Sequence, residues 1–119
     1  GGATAMELAT AADDVTNSNW EFDLTERASA LASTSLLTWS TANFENDSIK
    51  VSFADDAQAQ GGWNIAAVAE AFSGTTFDVE IGGTEIATGL SYSQQIDTGA
   101  YAGWGFELES GVLKFKQLA

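Results

Sequence analysis

The stretch Trp104-Gly105-Phe106-Glu107-Leu108-Glu109-Ser110-Gly111-Val112-Leu113-Lys114-Phe115-Lys116 decides the fold class. Apolar and polar residues alternate on both sides of Ser110-Gly111, the period of a half-buried strand. A two-residue turn there pairs Glu109 with Val112, Leu108 with Leu113, Glu107 with Lys114 and Phe106 with Phe115. One face then carries Phe106, Leu108, Leu113 and Phe115. The other sets Glu107 against Lys114, with Lys116 nearby. Cross-strand pairs of these kinds contribute roughly 0.2–1 kcal/mol each. A slip of one residue would send both sets to the wrong face, so the segment reads as one well-registered antiparallel hairpin.

The same alternation recurs upstream. Phe77, Val79 and Ile81 alternate with Asp78 and Glu80 before Gly82-Gly83, and residues 84–88 return. A tight turn there sets Val79 opposite Ile86 but Glu80 opposite Glu85. Either the register differs, which is the preferred reading, or the two carboxylates share a cation. Trp20, Phe22 and Leu24 form one period-two strand, and Ile49, Val51 and Phe53 another. Leu36, Leu37 and Trp39 read as a further strand, as do residues 90–96 around Tyr92. Residues 1–17 are a small, polar leading arm that ends in a first strand. Residues 25–33 form a loop or a short helix capped by Thr25, and residues 55–62 a polar loop. Ile65, Val68, Ala69 and Phe72 fall at i, i+3, i+4 and i+7. That stripe predicts a helix over 64–72, capped by Asn64 and ended by Gly74. The expected fold is mainly β: an antiparallel β-sandwich or rolled sheet with one short α-helix at about residues 64–72. All 119 residues fit one domain. Trp20-Glu21-Phe22-Asp23-Leu24 and Trp104-Gly105-Phe106-Glu107-Leu108 share a W-x-F-acid-L pattern, a candidate pair of counterpart strands.

Composition narrows the chemistry. There is no Cys, His or Pro, and four Lys and Arg stand against seventeen Asp and Glu, a net charge of −13. Thiol and His-based catalysis, disulfide scaffolds and His/Cys metal sites are thereby excluded. So acidic a chain is also a poor ligand for nucleic acid, which demands cations to replace counterions, and for anionic membranes. No apolar run of about 18 residues is present to span a bilayer. Carboxylate acid–base chemistry is the one catalytic option left, but nothing marks a particular pair, and the expectation is no enzyme. The chain starts Gly1-Gly2 rather than with Met, as an excised or processed piece of a longer chain does.

Two kinds of site remain. Calcium takes oxygen ligands from carboxylates, carbonyls and Asn, and the acidic patches are Asp13, Asp14 and Asn17; Glu45, Asn46 and Asp47; and Asp55 and Asp56. Asp55 and Asp56 are the first metal candidates and Asp47 the second, against the plain alternative of a solvated acidic surface. Among the aromatics, Trp20, Trp39 and Trp104 sit in core patterns. Trp63 and Tyr101 lie beside glycines and are the candidate glycan-stacking residues.

The closing segment, from Gly99-Ala100-Tyr101-Ala102-Gly103-Trp104 through the hairpin to Lys116, resembles the ends of modules in large bacterial surface and adhesin-like repeat proteins. Such modules close on a G-x-Y-x-G-[WY] step followed by a hairpin. The resemblance implies a non-catalytic extracellular structural, adhesive or assembly module of a bacterial cell-surface or secreted protein. Its partners would be other protein chains or copies of itself. No functional residue is carried over. The alternative is a carbohydrate-binding β-sandwich module that uses Trp63 and Tyr101.

Overall fold

The structure is a computed structural model that describes residues 6–8, 19–27, 33, 35, 37–39, 44, 46–68 and 72–119, with the backbone alone described at 6–8, 37–39 and 68. Among these residues the elements run β1 (Met6–Leu8), β2 (Asn19–Asp23), β3 (Leu37–Trp39), β4 (Ser48–Phe53), α1 (Asp56–Gln60), β5 (Ala66–Val68), β6 (Thr76–Ile81), β7 (Thr84–Leu90), β8 (Trp104–Glu109) and β9 (Val112–Gln117). They form two sheets, ordered β1-β3-β5-β9-β8 and β2-β4-β6-β7. The protein is therefore mainly β, with two sheets and one short helix.

The first six strands alternate between the sheets, and every pairing among them is parallel. Trp20 pairs with Ile49, 29 residues on, and Ile49 with Phe77, 28 residues on. In the other sheet Met6 meets Leu37 and Leu37 meets Ala66, offsets of 31 and 29. The chain thus winds as a flattened coil whose turns, here called rungs, stack at this spacing. The expected antiparallel order holds only where the coil ends: β7 runs against β6, β9 against β5 and β8 against β9. The reason is physical. Period-two alternation dictates which face a residue occupies, not the direction of the neighbouring strand.

The final hairpin has the expected register at each of its four inner pairs. Ser110 and Gly111 both take positive φ, 52° and 80°, as a turn matched to strand twist requires. Phe106, Leu113 and Phe115 are buried and Leu108 half-buried. On the outer face both lysines pair with Glu109 rather than Glu107, at 3.6 and 3.8 Å. At Gly82-Gly83, Glu80 does lie opposite Glu85, and bulges on either side of Val79 then bring Ala87 rather than Ile86 to it. The shared cation is Lys50, whose Nζ lies 3.3 Å from Glu80. Its pKa is raised chiefly by Glu80, with Glu21 and Glu85 adding to the effect.

The expected helix over 64–72 is not formed. Ala66–Val68 is a strand, and the Ile65 N–H donates to Leu113 O at 3.0 Å. Asn64 donates to Ser33 O instead of capping. The helix is α1, inside the stretch read as a polar loop. Of the apolar stripe, Ile65 and Phe72 are buried, but a short apolar run fits either period. Residues 69–71 lie outside the described ones. Residues 91–96 form turns rather than a strand. Trp20 and Trp104 are half-buried at the core's margin, and the Trp39 side chain is not among those described. The two W-x-F segments lie in different sheets, so they are not counterparts.

The sheets are joined by rings. Phe77 of β6 stacks on Phe106 of β8 at 5.0 Å and 14°, and Phe53 of β4 meets Phe115 of β9 at 5.8 Å. At one corner Phe44, Phe72 and Tyr92 form a column with spacings of 5.6 and 5.1 Å and near-parallel planes. Offset stacks of this kind add roughly 0.5–1.5 kcal/mol per pair beyond the area they bury. The corner backbone repeats as well. Asp47 N donates to Phe44 O and Thr75 N to Phe72 O, while Asn46 N reaches Ser73 O and Thr76 N reaches Asp47 O. Asn46 and Gly74 share the left-handed conformation, φ 56° and 69°. A Cβ at Gly74 would run into the side-chain oxygen of Asn46.

Replacing Gly74 with Ala should therefore lower unfolding stability by about 1–3 kcal/mol, from backbone strain and that collision. Adding Asn46→Gly should recover part of the loss, because the oxygen is then gone. Denaturant unfolding of the two single variants and the double variant measures both effects.

Candidate functional site

The segment linking β4 to β5 carries several of the polar side chains that hold neighbouring parts of the coil together. Asp55 is the N-cap of α1, in extended backbone, and its Oδ1 accepts from Gln58 N at 2.9 Å. The buried Gln58 amide bridges two strands' ends: its Oε1 accepts from Ala54 N at 2.6 Å and its Nε2 donates to Leu24 O at 2.7 Å. Leu24 belongs to the rung of β2, so α1 fastens one rung to the next. The Tyr101 hydroxyl donates to Asp56 Oδ1 at 2.7 Å and accepts from Gln60 Nε2 at 3.3 Å. That pair ties α1 to the segment before β8.

The three metal candidates are not brought together as a ligand set. Asp55 caps, Asp56 binds Tyr101, and Asp47 is 1% exposed at the stacked corner, accepting from Trp20 Nε1 at 3.3 Å. Among the described residues no three His, Cys, Asp or Glu side chains are grouped to hold an ion. Asp13, Asp14, Asn17 and Glu45 lie outside those residues. Tyr101 is not an exposed stacking residue. It is 4% exposed, with its ring edge-on to Trp104 at 5.4 Å and tilted on Phe115 at 5.6 Å. The neighbouring glycines let the chain bend around the ring; they do not expose it.

Trp63 fares differently. It is half-buried and lines an open cleft of ≈ 340 Å³ with Thr25, Arg27, Ala54, Asp55 and Gln58. Sequence reasoning singled out Trp63 and Asp55 but passed over Arg27 and Gln58. Arg27, the sole arginine, is 6% exposed, and its N–H donates to Leu24 O at 3.1 Å. The cleft joins Thr25 and Arg27 to Asp55, Gln58 and Trp63 of the next rung, a juxtaposition no local pattern announces.

The two ends of the coil are built differently. At the end formed by β1 and β2, each strand has one strand neighbour among the described residues. At the opposite end the outer edge of β8 is covered. Ser93 N donates to Phe106 O at 2.9 Å and Ile96 N to Trp104 O at 2.8 Å. Leu108 N donates to the Tyr92 hydroxyl at 2.8 Å. Residues 92–96 thus lie as a flap along that edge, close enough that a Cβ on Gly105 would strike the Gln94 carbonyl oxygen. The other strand at this end, β7, is bulged, and Gly89 N turns to the Asp78 carboxylate at 2.8 Å. Covered and bulged edges both block strand addition.

Comparison with protein-family models, curated proteins and solved structures finds no match to this chain. No described helix is long and apolar enough to cross a membrane.

The Tyr101 hydroxyl yields a pH prediction. Burial first, then the hydrogen bond to Asp56, raises its pKa above the ordinary 10.0. The folded state therefore holds this proton more tightly than the unfolded chain does. The associated stability is complete below pH 10 and is lost as pH rises through the folded-state pKa. Tyr101→Phe should cost about 1 kcal/mol at neutral pH and flatten the decline in melting temperature above pH 10. Parallel melts of the two proteins across the alkaline range measure this.

Proposed function

We propose that this chain is a non-catalytic structural and assembly module of a bacterial surface or secreted protein, working outside the cell, with other protein chains as its partners. The observation that carries this reading is the asymmetry of its ends. One end carries a flap over β8 and a bulged strand, β7, and the other, among the described residues, ends on parallel edges. A protein that merely needed to stay soluble would blunt both. A module that ends a β stack needs one end closed and the other ready to pair. The composition agrees with an exposed, extracellular setting: with a net charge of −13 the chain stays dispersed, and without Cys it is indifferent to redox conditions. Asp47, Asp55 and Asp56 serve as caps and clamps, which suits a scaffold rather than a reaction centre.

A second reading keeps the carbohydrate-binding alternative, now on Trp63 alone of the two aromatics. It is supported by the half-buried ring beside the Asp55 carboxylate in an open cleft, an arrangement of stacking face and polar groups that suits a sugar ring. Loss of glycan-array binding on Trp63→Ala would support it, and unchanged or absent binding would remove it.

The main reading is tested at the flap. Gly105→Val drives a side chain into the Gln94 carbonyl and Leu118, and should lift residues 92–96 from β8. Light scattering across a concentration series should then show association that the parent chain lacks, with faster amide exchange at Ser93 and Ile96. Lifted amides without any gain in association would show that the flap does not guard an edge.

A further inference from the structure

The partner for the open end can be specified from the strands already paired. In the second sheet β4 lies between β2 and β6. Its sequence Ser48-Ile49-Lys50-Val51-Ser52 reads polar, apolar, cation, apolar, polar. On one side it meets Thr76, Phe77, Asp78, Val79 and Glu80, and on the other Asn19, Trp20, Glu21, Phe22 and Asp23. The two flanking strands carry one pattern: polar, aromatic, acid, apolar, acid. In register, Glu21, Lys50 and Asp78 make an outward column of alternating sign, and Lys50 also reaches Glu80. Opposite charges and apolar pairs at such positions are the unit of sheet stabilisation.

By its side chains β2 is therefore a second β6, the kind of strand that takes a β4 on the side where β6 has one. Among the described residues the structure supplies a β4 only on its inner side. The inward column agrees. Phe77 and Ile49 are 0% and 1% exposed, whereas Trp20, next in the same column, is only half-buried.

We propose that the edge of β2 is a docking site for a parallel β rung of β4 type, with apolar residues opposite Trp20 and Phe22 and a lysine or arginine opposite Glu21. A second copy of this chain fits poorly. Two β2 edges related by a twofold axis run antiparallel, and the pairing centred on the strand sets Glu21 against Glu21, between bodies that each carry −13. Head-to-tail stacking of copies would set β2 against the bulged β7, which runs antiparallel to it, and β1 against β8 beneath its flap. The inference rests on the assembly role proposed above and names the chemistry of the partner.

The test gives the full chain the rung it lacks. A copy of residues 37–65, which contains β4 and α1, is fused ahead of residue 1, with residues 1–5 as the link. In a second fusion the copied lysine alone is changed, Lys50→Glu. In the first, amide exchange across Asn19–Asp23 should slow about tenfold or more and the melting temperature should rise. In the second, most of both gains should disappear. The proposal is overturned if the copied rung leaves β2 exchange unchanged, or if the Lys50→Glu copy protects β2 equally well. It is also overturned if the unfused chain proves a dimer in solution with β2 already protected. Failure of the Gly105→Val test alongside slowed β2 exchange would remove the closed-end reading and leave this one standing.

Discussion

The stacked corner at Phe44 and Phe72 is the constraint on which the rest depends. Parallel strands cannot be joined by a tight hairpin; each return must pass through the other sheet. The chain must therefore turn at the same height in each rung, or the registers of both sheets slip together. The corner enforces this by repeating its own backbone. Phe44 and Phe72 stack, Asn46 and Gly74 share the left-handed conformation, and Asp47 O takes the N–H of Thr76 at 3.0 Å. The Thr75 hydroxyl donates to Phe44 O, which ties one rung's corner to the next through a buried group. Asp47 extends the tie the other way through Trp20.

With the corner fixed, the coil still needs an end. A further parallel rung would only move the open edge along. The chain instead changes direction: Gly82 and Gly83 fold β7 back on β6, and Ser110 and Gly111 fold β9 back on β8. The change of strand sense is what allows a finish, because a hairpin strand needs no onward crossover. The rings of Phe106 and Phe115 then fill the space between the sheets against Phe77 and Phe53. Tyr92 completes the corner column with its ring and caps Leu108 N with its hydroxyl. One residue thus closes the aromatic column and part of the β8 edge.

The final hairpin was legible in the sequence because its two faces and its turn all specify one register. The coil was not. Its repeat survives only at inward positions, Trp20, Ile49 and Phe77 or Phe22, Val51 and Val79, where any apolar residue serves. The corner signal is equally degenerate. Phe44-Glu45-Asn46-Asp47-Ser48 and Phe72-Ser73-Gly74-Thr75-Thr76 share a Phe and one position needing positive φ, met by Asn in one and Gly in the other. In sequence, Val15-Thr16-Asn17-Ser18-Asn19 stands 29 residues before the first of these with the Asn again in place. Once the period is known the pattern is plain; without it, Gly74 reads as a helix stop. The site divides in the same way. Trp63 was readable because a loop residue beside glycines announces itself locally, although the same signal misplaced Tyr101, and Asp55 stood out for its charge and not for the helix it caps. Gln58 was not, because its amide satisfies Leu24 O, 34 residues away in sequence.

Charge placement follows from the same architecture. A flattened coil stacks its outward residues in columns, so a like-charged column would repel along its whole length. With seventeen acids and four cations the columns cannot all alternate. Three of the four cations pair with an acid of a neighbouring strand. Lys50 stands between Glu21 and Asp78 and within reach of Glu80, and it is why Glu80 and Glu85 can face each other beside the turn of β7. Lys114 and Lys116 converge on Glu109 beside the turn of the last hairpin. Both places are where the chain abandons parallel stacking and folds back. The antiparallel finish is thus supported electrostatically beside both of its turns.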